Sequence, residues 1–317
     1  MSFSSEVKKE LARIEPSKKC CMLAEISGFL RVAGSLRLAG GGRFSIVAST
    51  EDAAIARHYK KLIKEYFGST AGLEVGESTT PGKSRAKGYR YYLTISPDEK
   101  SSQILRETGM LLIKEGNDYF SDGIYPPIVS KKCDKKAYLR GLFLGCGTIS
   151  DPKRSYQIEF VLRSKQIAMD LKKLIGTFVD LSANYFERNE DHVVYMKKGD
   201  YVSDLLGIIG ADDAVLEFEN IRVGKDSKMA AQRITNCDSA NMDRALTASE
   251  EQQRWIKKIQ ESGRWEYLPG QLRELAELRM ENPAASLTEL GELLTPPIKK
   301  PGVSKRFAKI KEIAETL

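Results

Sequence analysis

The chain has 317 residues with 50 Lys+Arg against 43 Asp+Glu, a formal excess of +7 and a pI near 9.0. Hydrophobic residues at 41% and charged residues at 29% are ordinary globular values that exclude wholesale disorder, and this length suits two or three domains better than one core. The longest apolar stretch, around Leu205 to Ala211, falls far short of a bilayer span, and the charged start MSFSSEVKKELARI lacks an apolar secretory core; a cytoplasmic protein without membrane partners is expected.

In chain order, the segment EISGFLRVAGSL (Glu25 to Leu36) predicts a helix, followed by strand-like SLRLAG and RFSIVAS joined at Gly40, Gly41 and Gly42 by a hairpin turn. An apolar-periodic helix, DAAIARHYKKLIKEYF, comes next, then the strand-like runs GLEVGES and YRYYLTIS and a closing helix, PDEKSSQILRETG. The order then repeats. YLRGLFLGCGTI (Tyr138 to Ile149) leads into GTIS, YQIEFVLR, the helix KQIAMDLKKLIGTF, the strands SANYFER and HVVYMKKG, and the helix DYVSDLLGII. Gly28 and Gly141, like Gly34 and Gly147, are 113 residues apart. The repeat predicts two pseudo-symmetric lobes, residues 1–125 and 126–218, each an antiparallel sheet with helices on one face. A mid-helix glycine costs about 1 kcal/mol relative to alanine. Two repeat helices packed backbone to backbone at the lobe boundary would offset that cost.

Cysteine and histidine argue against a metal centre or cofactor. Five cysteines (20, 21, 133, 146 and 237) form no C-x-x-C pair and read as reduced thiols, and His58 and His192 lie in an apparent helix and strand with no partner at metal-ligand spacing. Beyond the lobes, residues 219–265 read as a linker plus the helix SEEQQRWIKKIQESGRWEYL, and residues 266–317 as three short helices. The first, LPGQLRELAELRMENP, sets Leu268, Leu272, Leu275 and Ala276 on one face and stops at Asn282-Pro283; the second, SLTELGELL, opens with Ser286 and Glu289 in capping-box spacing. The third, roughly Val303 to Leu317, carries Val303, Phe307 and Ile310 on one stripe. Such a trio predicts a helix-turn-helix. From Pro296 to Lys311 six residues are basic and none acidic, so this window holds +6 of the +7. Cations before acids along the third helix oppose the helix dipole, which an anionic partner at its N-terminal end would reverse. Ser304, Lys305, Arg306 and Lys309 are the expected base readers, Lys299, Lys300 and Lys311 the phosphate contacts, and Ser286 and Thr288 further backbone contacts to double-stranded DNA.

The segments ISGFLRVAG (Ile26 to Gly34) and LRGLFLGCG (Leu139 to Gly147) resemble the LAGLIDADG motif of homing endonucleases. With the linker QRITNCDSANMDRAL (Gln232 to Leu246) and the C-terminal helices, the whole chain is similar to the WhiA family of bacterial sporulation and cell-division transcription regulators. The resemblance implies an α+β fold, a pseudo-symmetric two-lobed LAGLIDADG-like scaffold with antiparallel sheets plus an all-α helix-turn-helix domain. In the endonucleases the acid before the final glycine of each motif binds divalent metal; Ala33 and Cys146 hold those positions here, and Arg31 and Leu144 the other acidic position. A catalytically inactive scaffold follows as the expectation. The remaining nuclease reading needs a relocated site, with Asp151 and Glu159 as the candidate rescuers, and a third reading makes the C-terminal helices a protein adaptor. The basic runs at Lys83, Arg85, Lys87 and Arg90 and at Lys131, Lys132, Lys135, Lys136 and Arg140 would give the scaffold residual phosphate contact, or a surface for another regulator or RNA polymerase. Tyr89, Tyr91 and Tyr92 are read as strand packing before base stacking. DNA binding implies a nucleoid-associated protein.

Overall fold

The fold starts one element earlier than the repeat. In the computed structural model, which describes residues 2–78 and 88–317, helix α1 (Phe3–Leu11) buries Phe3, Val7 and Leu11, spaced four apart on one face. Lobe one follows as α2 (Lys19–Ala33), β1 (Gly34–Leu38), β2 (Phe44–Thr50), α3 (Ala53–Phe67), β3 (Gly72–Ser78), β4 (Gly88–Ile95) and α4 (Ser101–Glu107). A hairpin that the sequence pattern did not reveal, β5 (Leu111–Lys114) and β6 (Asn117–Phe120), leads out of it. Lobe two is α5 (Lys132–Cys146), β7 (Gly147–Ile149), β8 (Ile158–Leu162), α6 (Lys165–Ile175), β9 (Asn184–Arg188), β10 (Asp191–Met196) and α7 (Gly199–Ile209).

The two sheets share one topology, β1-β2-β4-β3 and β7-β8-β10-β9, with every pairing antiparallel. Register puts Leu36, Ile46 and Ile95 in one row facing the helices, while Ser35, Val47 and Thr94 form the neighbouring row on the opposite face.

Helices α2 and α5 form the seam between the lobes. A Cβ on Gly28 would lie 2.4 Å from the Tyr138 carbonyl oxygen, and one on Gly141 would lie 2.2 Å from that of Glu25, so the two backbones touch reciprocally. Gly34 and Gly147 differ from expectation. They do not interrupt helices but end α2 and α5 in extended backbone (ψ 147° at both) and open β1 and β7. Across the seam the fully buried Glu25 carboxylate accepts hydrogen bonds from Arg140 Nε (2.9 Å) and Nη2 (2.8 Å), and its other oxygen lies 2.8 Å from His58 Nε2. Arg140 also donates to the Ile209 carbonyl at 3.0 Å, so the cation grouped with the surface lysines is a core residue.

Helix α8 (Asp212–Glu261) spans the stretch read as a linker, and it is followed by α9 (Gly270–Glu281), α10 (Leu287–Leu293) and α11 (Lys300–Glu315). The chain divides into two compact units, Met1–Gly224 and Lys225–Leu317. The second has its own core of Leu272, Leu275, Leu290, Val303, Phe307 and Ile310, to which the end of α8 adds Ile256 and Ile259. Among the described residues, no helix is long and apolar enough to cross a membrane.

Candidate nucleic-acid interface

The second unit is built to hold α10 and α11 at a fixed angle. Ser286 Oγ accepts from the Glu289 N–H at 3.3 Å while Glu289 Oε2 accepts from the Ser286 N–H at 2.6 Å, the reciprocal capping box that opens α10. Gly291 permits the turn to fold back on α10: its carbonyl accepts from Ile298 N–H at 2.9 Å, and a Cβ there would meet the Ile298 carbonyl at 2.2 Å. Below the turn Arg279 is 2% exposed and donates from Nε and Nη1. It donates to Gln252 Oε1 (2.9 Å) and to the Ala285 carbonyl (2.6 Å), and it lies 5.6 Å from the Phe307 ring centroid. One guanidinium thus ties α8, α9, the α9–α10 loop and α11 together; its burial lowers its pKa.

Helix α11 begins at Lys300, three residues before the expected Val303, with Pro301 in its first turn. Lys299 is therefore its N-cap, and Lys305 and Arg306 lie in the second turn rather than the first. At 3.6 residues per turn, Lys305 and Lys309 fall opposite the buried stripe of Val303, Phe307, Ile310 and Ala314. Ala308, exposed on the same surface between Ser304 and Lys305, carries no chemical signal in the sequence because it is small and apolar. Ser304 and Lys311, seven residues apart, share one flank, and the half-buried Arg306 takes the other. Arg306 donates to the carbonyl and Oε1 of Gln271 at 3.4 Å each, bracing α9. Lys311 pairs with Glu315 at 3.6 Å and lies 5.6 Å from the Trp255 ring centroid. Ser286 and Thr288 are both exposed at the start of α10.

On the scaffold, Ala33 and Cys146 line one open cavity of about 760 Å³ where α2 and α5 end. No carboxylate stands at either motif position, and the acids that do line the cavity are Glu51 and Asp52. Both have structural partners. Asp52 Oδ1 caps α3 by accepting the Ala54 N–H at 2.7 Å, and Glu51 pairs with Arg90 at 3.0 Å. Asp151 and Glu159 act elsewhere: Asp151 Oδ1 accepts the Lys153 N–H at 2.8 Å and Glu159 accepts from Gln157. Helix α1 lays Lys8 into the same cavity, 5.9 Å from the Phe143 ring centroid, where burial lowers its pKa. Desolvation pushes the Cys146 thiol up to about 12, so it stays protonated at neutral pH. The motif is degenerate: Ala33 and the neutral Cys146 thiol hold the two positions at which the resembling endonucleases carry acids, and Lys8 lines the same cavity.

The basic runs divide. Lys83, Arg85 and Lys87 lie outside the described residues, and Arg90 is held by Glu51. Lys131 to Lys136 sit at the first turns of α5, about 20 Å along the helix axis from the sheet strand that follows it. Tyr91 and Tyr92 are half-buried and pair in register with Thr50 and Ser49, and the Tyr92 ring would be 3.0 Å from a Cβ on Gly76, which fits the packing reading.

Comparison with known proteins agrees with this architecture. The family models described as WhiA N-terminal LAGLIDADG-like domain, WhiA LAGLIDADG-like domain and WhiA C-terminal HTH domain match residues 19–111, 135–228 and 231–314. A protein of Alkaliphilus metalliredigens named probable cell division protein WhiA is 42% identical over 318 residues, covering 99% of this chain and 98% of that one. A Thermoanaerobacter sp. protein of the same name is 41% identical over 318 residues, covering 100% and 98%. The crystal structure of a full-length WhiA protein from Thermatoga maritima superposes with a TM-score of 0.58 at 23% identity, covering 100% of this chain and 99% of that one, which shows the shared fold.

Proposed function

The chain belongs to the WhiA family, and from that premise we propose that it is a double-stranded-DNA-binding regulator of transcription serving cell division and sporulation, not an enzyme. The observation that carries this reading is the outward face of α11. Lys305 and Lys309 stand to one side of the exposed Ala308 on a helix whose first turn holds no acid, within the Pro296 to Lys311 window that holds +6 of the chain's +7. In this reading α11 enters the major groove, Lys305, Lys309 and Ser304 reach base edges, and Lys299 and Lys300 meet phosphates at the helix start. Arg306 and Lys311 contribute from the flanks, and Ser286 and Thr288 place the start of α10 against the opposite backbone. The scaffold offers its sheet face and α1-covered cavity to a partner, another regulator or RNA polymerase, and DNA binding draws the protein to the nucleoid.

The experiment is fluorescence anisotropy with duplex DNA at two or more salt concentrations. It compares the whole chain, Lys305→Ala/Lys309→Ala, Lys305→Ala/Arg306→Ala and a chain ending at Ala248. Removing a cation that neutralises one phosphate should flatten the log–log salt slope by about 0.9. Both double variants should lose at least tenfold in affinity, and the truncated chain most of its binding. Undiminished binding by the truncated chain moves the DNA site to the scaffold. Weak binding indifferent to every variant supports an adaptor, and Mg²⁺-dependent cleavage by the purified protein restores the enzyme reading.

A further inference from the structure

Three thiols and a carboxylate converge at the opposite end of the α2/α5 pair from the degenerate centre. Cys20 and Cys21 are the second and third residues of α2, and Cys133 and Asp134 are the second and third of α5. The repeat offset of 113 relates them: Lys18-Lys19-Cys20-Cys21 superimposes on Lys131-Lys132-Cys133-Asp134. The three sulfurs and a carboxylate oxygen all lie within 4.8 Å of one another. Cys21 and Cys133 direct their thiols at Asp134 Oδ1, at 3.6 and 3.4 Å.

Asp134 supplies a second, independent observation. It is 3% exposed, and among the described residues its carboxylate has no Lys or Arg ion pair; its side-chain partners are the weak thiol donors of the cluster, Cys20 included. Burying a carboxylate without a countercharge is costly, and here the side chain points into a set of soft ligands. The helix starts point the same way. Lys18 and Lys131 occupy the N-cap positions of α2 and α5, neither makes a side-chain cap, and a lysine follows each; cations at two adjoining helix N-termini are unfavourable unless negative charge gathers there.

We propose that Cys20, Cys21, Cys133 and Asp134 bind one Zn²⁺ ion that clamps the N-termini of α2 and α5, and hence the two lobes, together. The donor set of three sulfurs and one oxygen suits tetrahedral Zn²⁺, whereas Mg²⁺ and Ca²⁺ require oxygen ligands. Zn–S bonds of about 2.3 Å set tetrahedral S···S separations near 3.8 Å, so the cluster closes by roughly an ångström of side-chain movement. On binding, each of the three thiols releases its proton to solvent as its sulfur bonds the ion, and Asp134 ligates as the carboxylate. The resulting centre carries a formal charge of about −2, which the two helix dipoles and the four flanking lysines offset. The ion would sit in this cluster whether or not the chain binds DNA.

The test uses the full-length chain, kept reduced, stripped with chelator and titrated with Co²⁺ and then Zn²⁺. The expected result is one Co²⁺ per chain, with near-ultraviolet sulfur-to-cobalt charge-transfer absorption and the intense visible bands of a tetrahedral site, all bleached by one equivalent of Zn²⁺. Cys133→Ser and Asp134→Asn should each weaken Zn²⁺ binding at least ~10-fold, and Cys146→Ser, a thiol at the other end of the helix, should leave the spectrum unchanged. The unmodified chain's own cobalt spectrum decides the matter if a variant fails to fold. Absence of thiolate-to-cobalt bands, binding that survives Cys133→Ser, or air oxidation to a disulfide between α2 and α5 with no metal uptake would each overturn the proposal.

Discussion

At the residue scale, Arg279 makes the sharpest prediction. Its guanidinium reaches a side-chain oxygen on α8 and the carbonyls of Asn282, Pro283 and Ala285; in Arg279→Ala, Gln252 Oε1 and the Ala285 carbonyl would lose this donor, while Pro283 keeps Ser249 Oγ and Asn282 keeps the Ala285 N–H. Hydrogen bonds from a charged donor are worth about 1.5–3 kcal/mol each and buried acceptors left alone cost further, so the loss should be about 3 kcal/mol or more, read by urea unfolding. Arg279→Lys should recover only part of it, because an ammonium lacks the planar fork; full recovery would show that charge alone matters. Glu289 carries a pH prediction. Its hydrogen bonds to the Ser286 backbone and side chain hold its carboxyl below the ordinary 4.5, so its stabilisation is fully present above that unfolded value and is lost as pH falls through the depressed one. The wild type should exceed Glu289→Gln in melting temperature at pH 7, with the gap closing on acidification below pH 4.5; a constant gap would refute the capping role. That capping box was legible in the sequence because its partners are three residues apart. Arg279 and the Glu25–Arg140 pair were not, since their partners lie 27 and 115 residues away and burial cannot be read from a lone charge.

At the element scale, the succession of helices and strands and the lobe symmetry were legible because period-two alternation and the glycine spacing both recur at the same offset, whereas the order of strands within each sheet was not. The β5–β6 hairpin was missed because all of β6 is exposed and leaves no apolar alternation to detect. Helix α11 was started late because Pro301-Gly302 reads as a breaker, although proline is at home in a first helical turn. The cysteine cluster escaped for a related reason: its ligands come as adjacent pairs on two helices, so no C-x-x-C spacing exists. The seam glycines yield a prediction in which two effects oppose. Gly28→Ala gains about 1 kcal/mol of helix propensity but drives a methyl to 2.4 Å from a carbonyl oxygen of α5, a backbone atom that cannot swing aside. Overpacking of this kind should win, with a net loss of about 1–3 kcal/mol. Gly224→Ala, where a Cβ would meet nothing within 4 Å, is the matching control in α8 and should be neutral or stabilising. A stable Gly28→Ala protein would mean that the two backbones do not touch.

At the scale of the whole molecule, the first unit's core runs from Phe3 to Phe218 and the second unit's from Ile256 to Ala314. Two units with separate cores need not unfold together, and one equilibrium constant then fails to describe the chain. Calorimetry of the full chain should therefore resolve two transitions with different sensitivities. Arg279→Ala should lower the smaller unit's transition by on the order of 10 °C and leave the other in place, given about 4–8 °C per kcal/mol for a domain of this size. Gly28→Ala should do the reverse. Excess Zn²⁺ should raise only the transition that Gly28→Ala lowers, because Cys20, Cys21, Cys133 and Asp134 all belong to the first unit and ligand binding stabilises only the unit that holds it. A single transition shifted equally by all three perturbations would show instead that the units fold as one cooperative body, and that α8 transmits the loss of either core to the other.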